Sequence, residues 1–327
     1  MTAVLVAICQ QRGANLTAEF GELVGGKGLD IGAAGAIFGV TVGTILSMLF
    51  LIAYMLTHRD RTQALDTPDS SGSIMRQVLA IGVPITLSNS AMSIITLIDT
   101  SNVLGRLRTI PELADSAATL FGQYQFGMNL INLPPSFVFP VTMSLIPFAA
   151  AAITRRDAVE ADRIISSAFR IVAVLAIPAG VGLSVVGGSA LVMLYPAQQA
   201  DALAAGPHMR YLGIACIFIC LMNLTNAILQ TYGKEHIPIV TVIIGGITKV
   251  ALNYLLVGNP NINIHGAPIS TLCCYMVIVG LNLFFVWKYS EKKPRYIQLF
   301  AKPVLASLLM GAAAWAASGL GWSEMTM

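Results

Sequence analysis

Apolar residues are grouped in long segments along this chain, and short polar stretches separate them. Eight segments are longer than the roughly 20 residues that a helix needs to cross a hydrocarbon core about 30 Å thick. The pattern therefore predicts eight complete transmembrane helices. They are Ile31–Thr57, Leu79–Leu104, Ala118–Ala150, Ile171–Leu194, Arg210–Tyr232, Ile237–Val257, Ala267–Trp287 and Ile297–Ala317.

The composition agrees with this pattern, since 56% of the 327 residues are hydrophobic and 11% are charged. A mean hydropathy of +0.75 is typical of an all-α polytopic membrane protein and not of a water-soluble domain. The four histidines are scattered, and no carboxylates share a catalytic spacing, so an enzyme is not favoured. We expect no catalytic residue, cofactor, metal or nucleic-acid partner.

The span Leu79–Leu104 is unusual because small polar residues recur along it at steps of three and four, which places them on one side of a helix. Asp99 lies beside this polar side and within membrane depth. A carboxylate at the centre of a span costs about 2.5–3.5 kcal/mol, so it normally faces a bundle interior or a wet cavity. We therefore expect neighbouring helices to provide a polar interior. The polar side consists of Thr86, Asn89, Ser93, Thr96 and Thr100.

A second charge lies at membrane depth, because Lys249 is near the middle of Ile237–Val257 and Asn253 follows one turn later on the same face. Lys249 either attracts an anionic substrate or forms an intramembrane ion pair with Asp99. Both interpretations stay open on the sequence. Asp99 is also a candidate site for a coupling cation or proton, since a desolvated carboxyl group can bind a proton more tightly.

The third span combines prolines with a polar face. Gln125, Asn129 and Asn132 follow at steps of four and three, and they precede a pair of prolines at Pro134 and Pro135. Such prolines predict an interrupted helix, which is common along transport pathways. The polar face either lines a hydrophilic cavity or forms helix contacts, and its position before the prolines favours the cavity.

Two further polar groups need an interpretation. Arg106 and Arg108, in the predicted loop after the second span, either lie among lipid headgroups or contact a phosphate of the substrate. Asn223, Asn226 and Gln230 share one face of the fifth span, and helix contacts are the favoured explanation.

Positive charge is distributed unequally between the two membrane sides. Twelve Lys and Arg residues fall in the predicted loops on one side, against three on the other side after the first complete span. Cytoplasmic loops carry the excess of positive charge. The polar linker His58–Gln77 is therefore predicted to be cytoplasmic, in a bacterial plasma membrane, with both ends of the chain outside.

Four stretches carry a resemblance to a known family. They are GVPITLSNSAMSIITLIDT at Gly82–Thr100, NLPPSFVFPVTMSLIP at Asn132–Pro147, LTNAILQTYG at Leu224–Gly233 and LNYLLVGNPNINIHGAPIST at Leu252–Thr271. In this order they resemble the stage V sporulation protein B-like branch of the polysaccharide transporters. That branch belongs to the multidrug, oligosaccharidyl-lipid and polysaccharide (MOP) flippase superfamily, alongside the lipid II flippases.

The resemblance implies a bilobed fold in which two six-helix bundles enclose a central cavity, often with two further helices. On that template, residues 1–57 are a remnant of the first lobe and 58–77 form a cytoplasmic linker. Residues 78–290 form the second six-helix lobe, and 291–327 form one extra helix with an outer tail. Relative to the family, about five helices of the first lobe and the final extra helix are absent.

The function implied by the resemblance is translocation of a polyprenyl-diphosphate-linked saccharide or cell-wall precursor across the bilayer by alternating access. The alternatives are a cation-coupled multidrug exporter of the same superfamily, and a non-transporting lobe that needs a partner. The missing first lobe or a partner chain is expected to complete the cavity. The residues expected to bind substrate are Asp99, Gln125, Asn129, Asn132, Lys249, Asn253 and Arg106.

Overall fold

The computed structural model of the protein describes residues 28–57, 71–260, 262–290 and 296–321. Predictions made for the outer polar loop, for most of the linker and for the two ends lie outside these residues. The chain divides into two compact units, Met1–Ser71 and Gly72–Met327, and each is described by itself. All regular structure in the described ranges is helical, which confirms the predicted all-α class.

Ten α-helices are present in the described residues. They are α1 (Gly28–Thr57), α2 (Ser71–Arg108), α3 (Ala117–Ile131), α4 (Leu133–Thr154), α5 (Ala158–Leu194), α6 (Gln199–Ala205), α7 (Met209–Thr231), α8 (His236–Leu256), α9 (Gly266–Tyr289) and α10 (Tyr296–Gly321). Short 3-10 turns at Pro196–Gln198, Gly206–His208 and Asn263–His265 connect some of them.

Six helical segments in the described part of the chain are long and apolar enough to cross a membrane. They match the six predicted spans from the third to the eighth. The predicted span Leu79–Leu104 lies inside α2. The predicted span Ile31–Thr57 lies inside α1, which belongs to the first unit and contains a shorter apolar stretch, Phe38–Tyr54. The six segments are Ala117–Thr154, Ala158–Leu194, Pro196–Thr231, His236–Leu256, Asn263–Tyr289 and Gln298–Trp315.

The interruption predicted in the third span is present. Helix α3 ends at Ile131 and α4 begins at Leu133, so the break falls at Asn132 with prolines at the start of α4. Proline has no N–H to donate, and its ring is tolerated in the first turn of a helix. One membrane-length segment is therefore built from two helices joined at a single residue.

Several helices begin earlier or end later than the sequence predicted. Helix α2 begins at Ser71, so the last residues of the predicted linker are helical, and it ends at Arg108, so Arg106 lies in its last turn and not in a loop. Basic side chains at a helix C-terminus are favoured by the helix dipole, a signal that the prediction did not use.

Helix α5 also begins earlier than predicted. Asp157 caps it, since its side chain accepts a hydrogen bond of 3.0 Å from the backbone N–H of Glu160. Arg163 and Arg170 therefore lie in the helix, where the prediction placed a loop. The predicted loop Tyr195–Met209 is likewise largely helical and packs onto the bundle, with Ala202, Ala205 and His208 among its buried residues.

Helix α7 is the centre of the second unit. In its membrane segment 72% of the most apolar window is buried, against 17–39% in the other five segments. The crossing of α7 with α5 is especially close. A Cβ atom on Gly213 would lie 2.4 Å from the backbone N of Ser184 and 2.7 Å from the carbonyl O of Gly180. Glycine at both positions lets the two backbones touch, as small residues do in membrane helix pairs.

A buried polar cluster joins α7, α8 and α9. The side-chain amide of Asn282, which is fully buried, donates to Thr225 Oγ1 at 3.1 Å and to Asn226 Oδ1 at 2.8 Å. Its carbonyl oxygen accepts from Thr241 Oγ1 at 2.8 Å. The helix-contact interpretation is therefore confirmed for Asn226.

Candidate functional site

Two charged residues predicted at membrane depth form an ion pair between α2 and α8. The distance from Lys249 Nζ to Asp99 Oδ2 is 2.7 Å, and the two residues are 8% and 5% exposed. The second carboxylate oxygen of Asp99 accepts a hydrogen bond from the Asn253 amide, and the amide oxygen of Asn253 accepts one from the Ser270 hydroxyl. Of the two interpretations left open for Lys249, the ion pair is the one present.

The local sequence explains this arrangement. Lys249 and Asn253 are four residues apart, so both side chains leave α8 on the face that meets α2. One turn earlier on α8, Gly246 leaves room for Ile95 of α2, because a Cβ atom at Gly246 would lie 2.5 Å from Ile95 Cδ1. A buried carboxylate tolerates its loss of hydration only when it is paired and hydrogen-bonded. Lys249 supplies the countercharge to Asp99, and Asn253 supplies a hydrogen bond to it.

Tyr124 of α3 contacts α9 next to the residue that hydrogen-bonds to Asn253. Its ring is 1% exposed, and its hydroxyl lies 2.8 Å from Thr271 Oγ1 on α9, the residue after Ser270. Tyr124, Ser270 and Thr271 were not predicted as site residues, because a tyrosine or a hydroxyl residue in an apolar span resembles an ordinary core position. The position of Ser270 in the sequence did not indicate that its hydroxyl would donate to Asn253.

The amide face of the third span is separate from this ion pair. Asn129 and Asn132 are exposed and Gln125 is half-buried, and the Tyr124 face of the same helix is the one turned inward. Among the described residues, the side chains of Asn129 and Asn132 form no hydrogen bond. The structure thus brings Asp99, Lys249 and Asn253 together, and it places Gln125, Asn129 and Asn132 on the surface of the bundle.

Arg106 lies at the end of α2, away from the ion pair. Its Nε donates to the carbonyl O of Tyr254 at 3.2 Å, and its guanidinium lies 4.0 Å from the centroid of the Tyr254 ring. One turn earlier, the Asn102 amide donates to the carbonyl O of Val250 at 3.0 Å. These bridges show that α2 and α8 run parallel.

An apolar groove of about 800 Å³ lies between α2 and α8. Isoleucines from both helices line it, among them Ile98 and Ile247, and Asn102 and Tyr254 lie in its wall. The sequence could not show this groove, because it depends on how far apart the two helices stand. No group of three or more His, Cys, Asp or Glu side chains that could hold a metal ion occurs in the described residues.

A family model described as lipid II flippase MurJ matches residues 14–326. The chain belongs to the MurJ lipid II flippase family. The resemblance found in the sequence is therefore confirmed at the level of the family.

Two curated relatives of this MurJ-family chain come from Bacillus subtilis (strain 168). The uncharacterized membrane protein YabM is 26% identical over 262 residues, which cover 79% of this chain and 48% of YabM. Stage V sporulation protein B is 20% identical over 293 residues, which cover 87% of this chain and 55% of that protein. The chain therefore spans about half the length of the curated relatives it matches.

Among solved structures, a MOP superfamily transporter from Pyrococcus furiosus Vc1 (DSM3638) has a similar fold. The TM-score is 0.50 at 17% sequence identity, and the match covers 72% of this chain and 53% of that one. This likeness supports the fold of the MurJ-family chain. The protein is a multi-pass membrane protein of a transporter family.

Proposed function

We propose that this chain takes part in moving a polyprenyl-diphosphate-linked saccharide, a cell-wall or polysaccharide precursor, from the inner to the outer leaflet. The observation that carries the proposal is the match of residues 14–326 to the lipid II flippase family. Transport proceeds by alternating access, in which two lobes rock against each other around a central cavity. No covalent chemistry is needed, so we propose that the chain is not an enzyme.

Within that process, residues 78–290 act as the second six-helix lobe. The chain spans about half of YabM and of stage V sporulation protein B, so we propose that a first lobe, from a partner chain or from further helices, completes the cavity. Without it the bundle is a non-transporting half.

The two polar sets of the lobe have different tasks in this proposal. The exposed amides of Asn129 and Asn132 bind saccharide hydroxyl groups, since an amide offers both donors and an acceptor. The buried pair of Asp99 and Lys249 fixes α2 against α8. Because that pair is already satisfied by its own partners, it positions the helices and does not bind the saccharide directly.

Cation coupling at Asp99, which the multidrug-exporter alternative needs, is disfavoured by the same pair. The Lys249 ammonium lies 2.7 Å from the carboxylate and balances its charge. A coupling cation can bind Asp99 only if this ammonium leaves, which exposes a buried positive charge at a cost of several kcal/mol. We therefore favour the flippase over the exporter.

The test of the proposal replaces the exposed amides. In cells that depend on this protein together with its complementary lobe, Asn129→Leu with Asn132→Leu is expected to lower precursor translocation about tenfold, because hydrogen bonds worth about 0.5–1.5 kcal/mol each are lost. The measured quantity is the fraction of labelled precursor that becomes accessible at the outer surface.

The matched control for this test is Gln298→Leu, which removes an exposed amide from α10, outside the proposed lobe. We expect it to translocate at the wild-type rate. If the double variant, present at the wild-type level, also translocates normally, the amide face has no role in transport. A sodium or proton requirement for dye efflux would instead support the exporter.

We further propose the orientation in which the arginines around the start of α5 face the cytoplasm, following the excess of positive charge. Glu112 and Glu160 are both exposed and lie at opposite ends of the bundle in this topology. In a background with Cys9→Ser and Cys273→Ser, a membrane-impermeant maleimide should label Glu112→Cys in intact cells and Glu160→Cys only after lysis. The reverse labelling pattern would invert the topology.

A further inference from the structure

Two histidines meet at the end of the bundle where α7 and α9 begin. His208 is the last residue of the 3-10 turn that leads into α7, and His265 is the last residue of the turn that leads into α9. The centroids of their imidazole rings are 4.9 Å apart, and the ring planes are tilted by 56°. The two residues are far apart in the sequence, so the spacing of histidines along the chain did not indicate this pair.

The imidazole of His208 is buried without a hydrogen bond. The residue is 2% exposed, and neither Nδ1 nor Nε2 has a partner among the described residues. The Tyr124 ring lies edge-on at a centroid distance of 6.4 Å, and its hydroxyl is already paired with Thr271. A buried polar atom without a partner is costly, so it calls for an explanation such as a bound ion.

The backbone on both sides of His208 is closely packed on α5. A Cβ atom on Gly188 would lie 3.2 Å from the Cα of Gly206, two residues before His208. Met209, the residue after His208, is 1% exposed, and a Cβ atom on Gly187 would lie 2.8 Å from its Cε. The buried imidazole is therefore held in one place.

His265 connects the pair to the surface. Its side chain is exposed, whereas the backbone next to it is fixed. A Cβ atom on Gly266 would lie 2.6 Å from Leu256 Cβ at the end of α8. One imidazole is thus buried and rigid, and the other lies at the surface, where an ion can reach it and its ring can rotate.

The separation of the two rings suits one metal ion bound by both. At a metal–nitrogen distance of about 2.0–2.1 Å, the ion lies about 3.2 Å from each ring centroid, and angles between a right angle and the tetrahedral angle place the centroids roughly 4.5–5.2 Å apart. The observed 4.9 Å is inside this range, so binding does not require the two turns to move apart. Imidazole suits Zn²⁺, Cu²⁺ and Ni²⁺, whereas Mg²⁺ and Ca²⁺ prefer oxygen ligands.

We propose that His208 and His265 bind a divalent late first-row transition metal ion, such as Zn²⁺, Cu²⁺ or Ni²⁺. The ion takes one nitrogen of each ring. Water completes its coordination, because the described residues contain no group of three His, Cys, Asp or Glu side chains that could hold a metal. The bound ion links the beginning of α7 to the beginning of α9. This site is independent of the proposed transport function.

The experiment measures thermal unfolding of the full chain, purified in detergent without a histidine tag, in the presence and absence of Zn²⁺. An ion that binds only the folded state stabilises it, so Zn²⁺ should raise the unfolding temperature by several degrees, and Mg²⁺ should not. Equilibrium dialysis should find one Zn²⁺ per chain. His265→Ala, at an exposed position, should abolish both effects. His236→Ala, which removes an exposed histidine at the start of α8, should preserve them.

Two further measurements identify the ligands. His265→Cys should retain Zn²⁺ binding, because a thiolate is also a good zinc ligand. His208→Asn should lose it, and its unfolding transition without metal shows whether the variant is folded. The EPR spectrum of Cu²⁺ bound to the wild type should show coupling to two imidazole nitrogens.

An unfolding temperature that Zn²⁺ leaves unchanged would overturn the proposal, and so would equal shifts in the wild type and His265→Ala. The rings would then be ordinary packing partners. Equal losses in His236→Ala and His265→Ala would place the bound ion elsewhere. None of these measurements involves transport, so a chain that binds Zn²⁺ in this way but moves no precursor would refute the proposed function and leave the metal site standing.

Discussion

Replacing Lys249 by methionine is expected to lower the free energy of unfolding by about 3–5 kcal/mol. The substitution keeps the volume of the side chain but leaves the Asp99 carboxylate buried without its countercharge, 5% exposed among apolar helices. An uncompensated charge in such a place costs far more than the loss of one hydrogen bond. Thermal unfolding of the purified protein in detergent measures the effect.

A second substitution distinguishes loss of charge balance from loss of packing. Asp99→Asn in the Lys249→Met background removes the orphaned charge, so the double variant should recover most of the lost stability, which is a coupling of the two sites. Lys302→Met, at an exposed position of α10, should leave stability unchanged. If the double variant is as unstable as Lys249→Met, the pair contributes nothing through its charges.

Gly213→Ala should destabilise the bundle by an amount near the upper end of the roughly 1–3 kcal/mol typical of overpacking. The added methyl group would meet the backbone N of Ser184 at 2.4 Å and the carbonyl O of Gly180 at 2.7 Å. Backbone atoms cannot rotate away as a side chain does, so α5 and α7 must separate. The unfolding temperature in detergent reports the loss.

The control for this prediction is another glycine-to-alanine change inside a helix. A Cβ atom at Gly280 in α9 meets nothing within 4 Å. There alanine should be neutral or slightly stabilising, because its helix propensity exceeds that of glycine by about 0.8–1.0 kcal/mol. Equal effects at Gly213 and Gly280 would show that the close crossing of α5 and α7 does not limit stability.

Much of the fold could be predicted because lipid and water select residues so differently. Six predicted spans coincide with membrane-length helical segments, and the break before Pro134 was visible from the missing N–H groups. Helix ends were less predictable. Charged residues such as Arg163 continue a helix beyond the apolar core, and a cap such as Asp157 is formed by one side chain.

The site was predictable only in part. Asp99 and Lys249 could be found because a charge at membrane depth needs a partner, and that reasoning named the pair as one alternative. It could not separate the face of α3 that holds Tyr124 from the face that holds Asn129, since both contain polar atoms. Ser270 and the α2–α8 groove depend on distances between helices, which spacing along one helix does not encode.

The junction at Asn132 has a mechanical consequence. In an uninterrupted helix, the amide groups of residues 134 and 135 would donate to the carbonyl oxygens of Leu130 and Ile131, but prolines at these positions have no hydrogen to give. Two backbone hydrogen bonds of a continuous helix are therefore missing here, and a bond of 3.3 Å from the Asn132 N–H to the Asn129 carbonyl O remains at the junction. The segment is therefore expected to bend more easily at Asn132 than within α3.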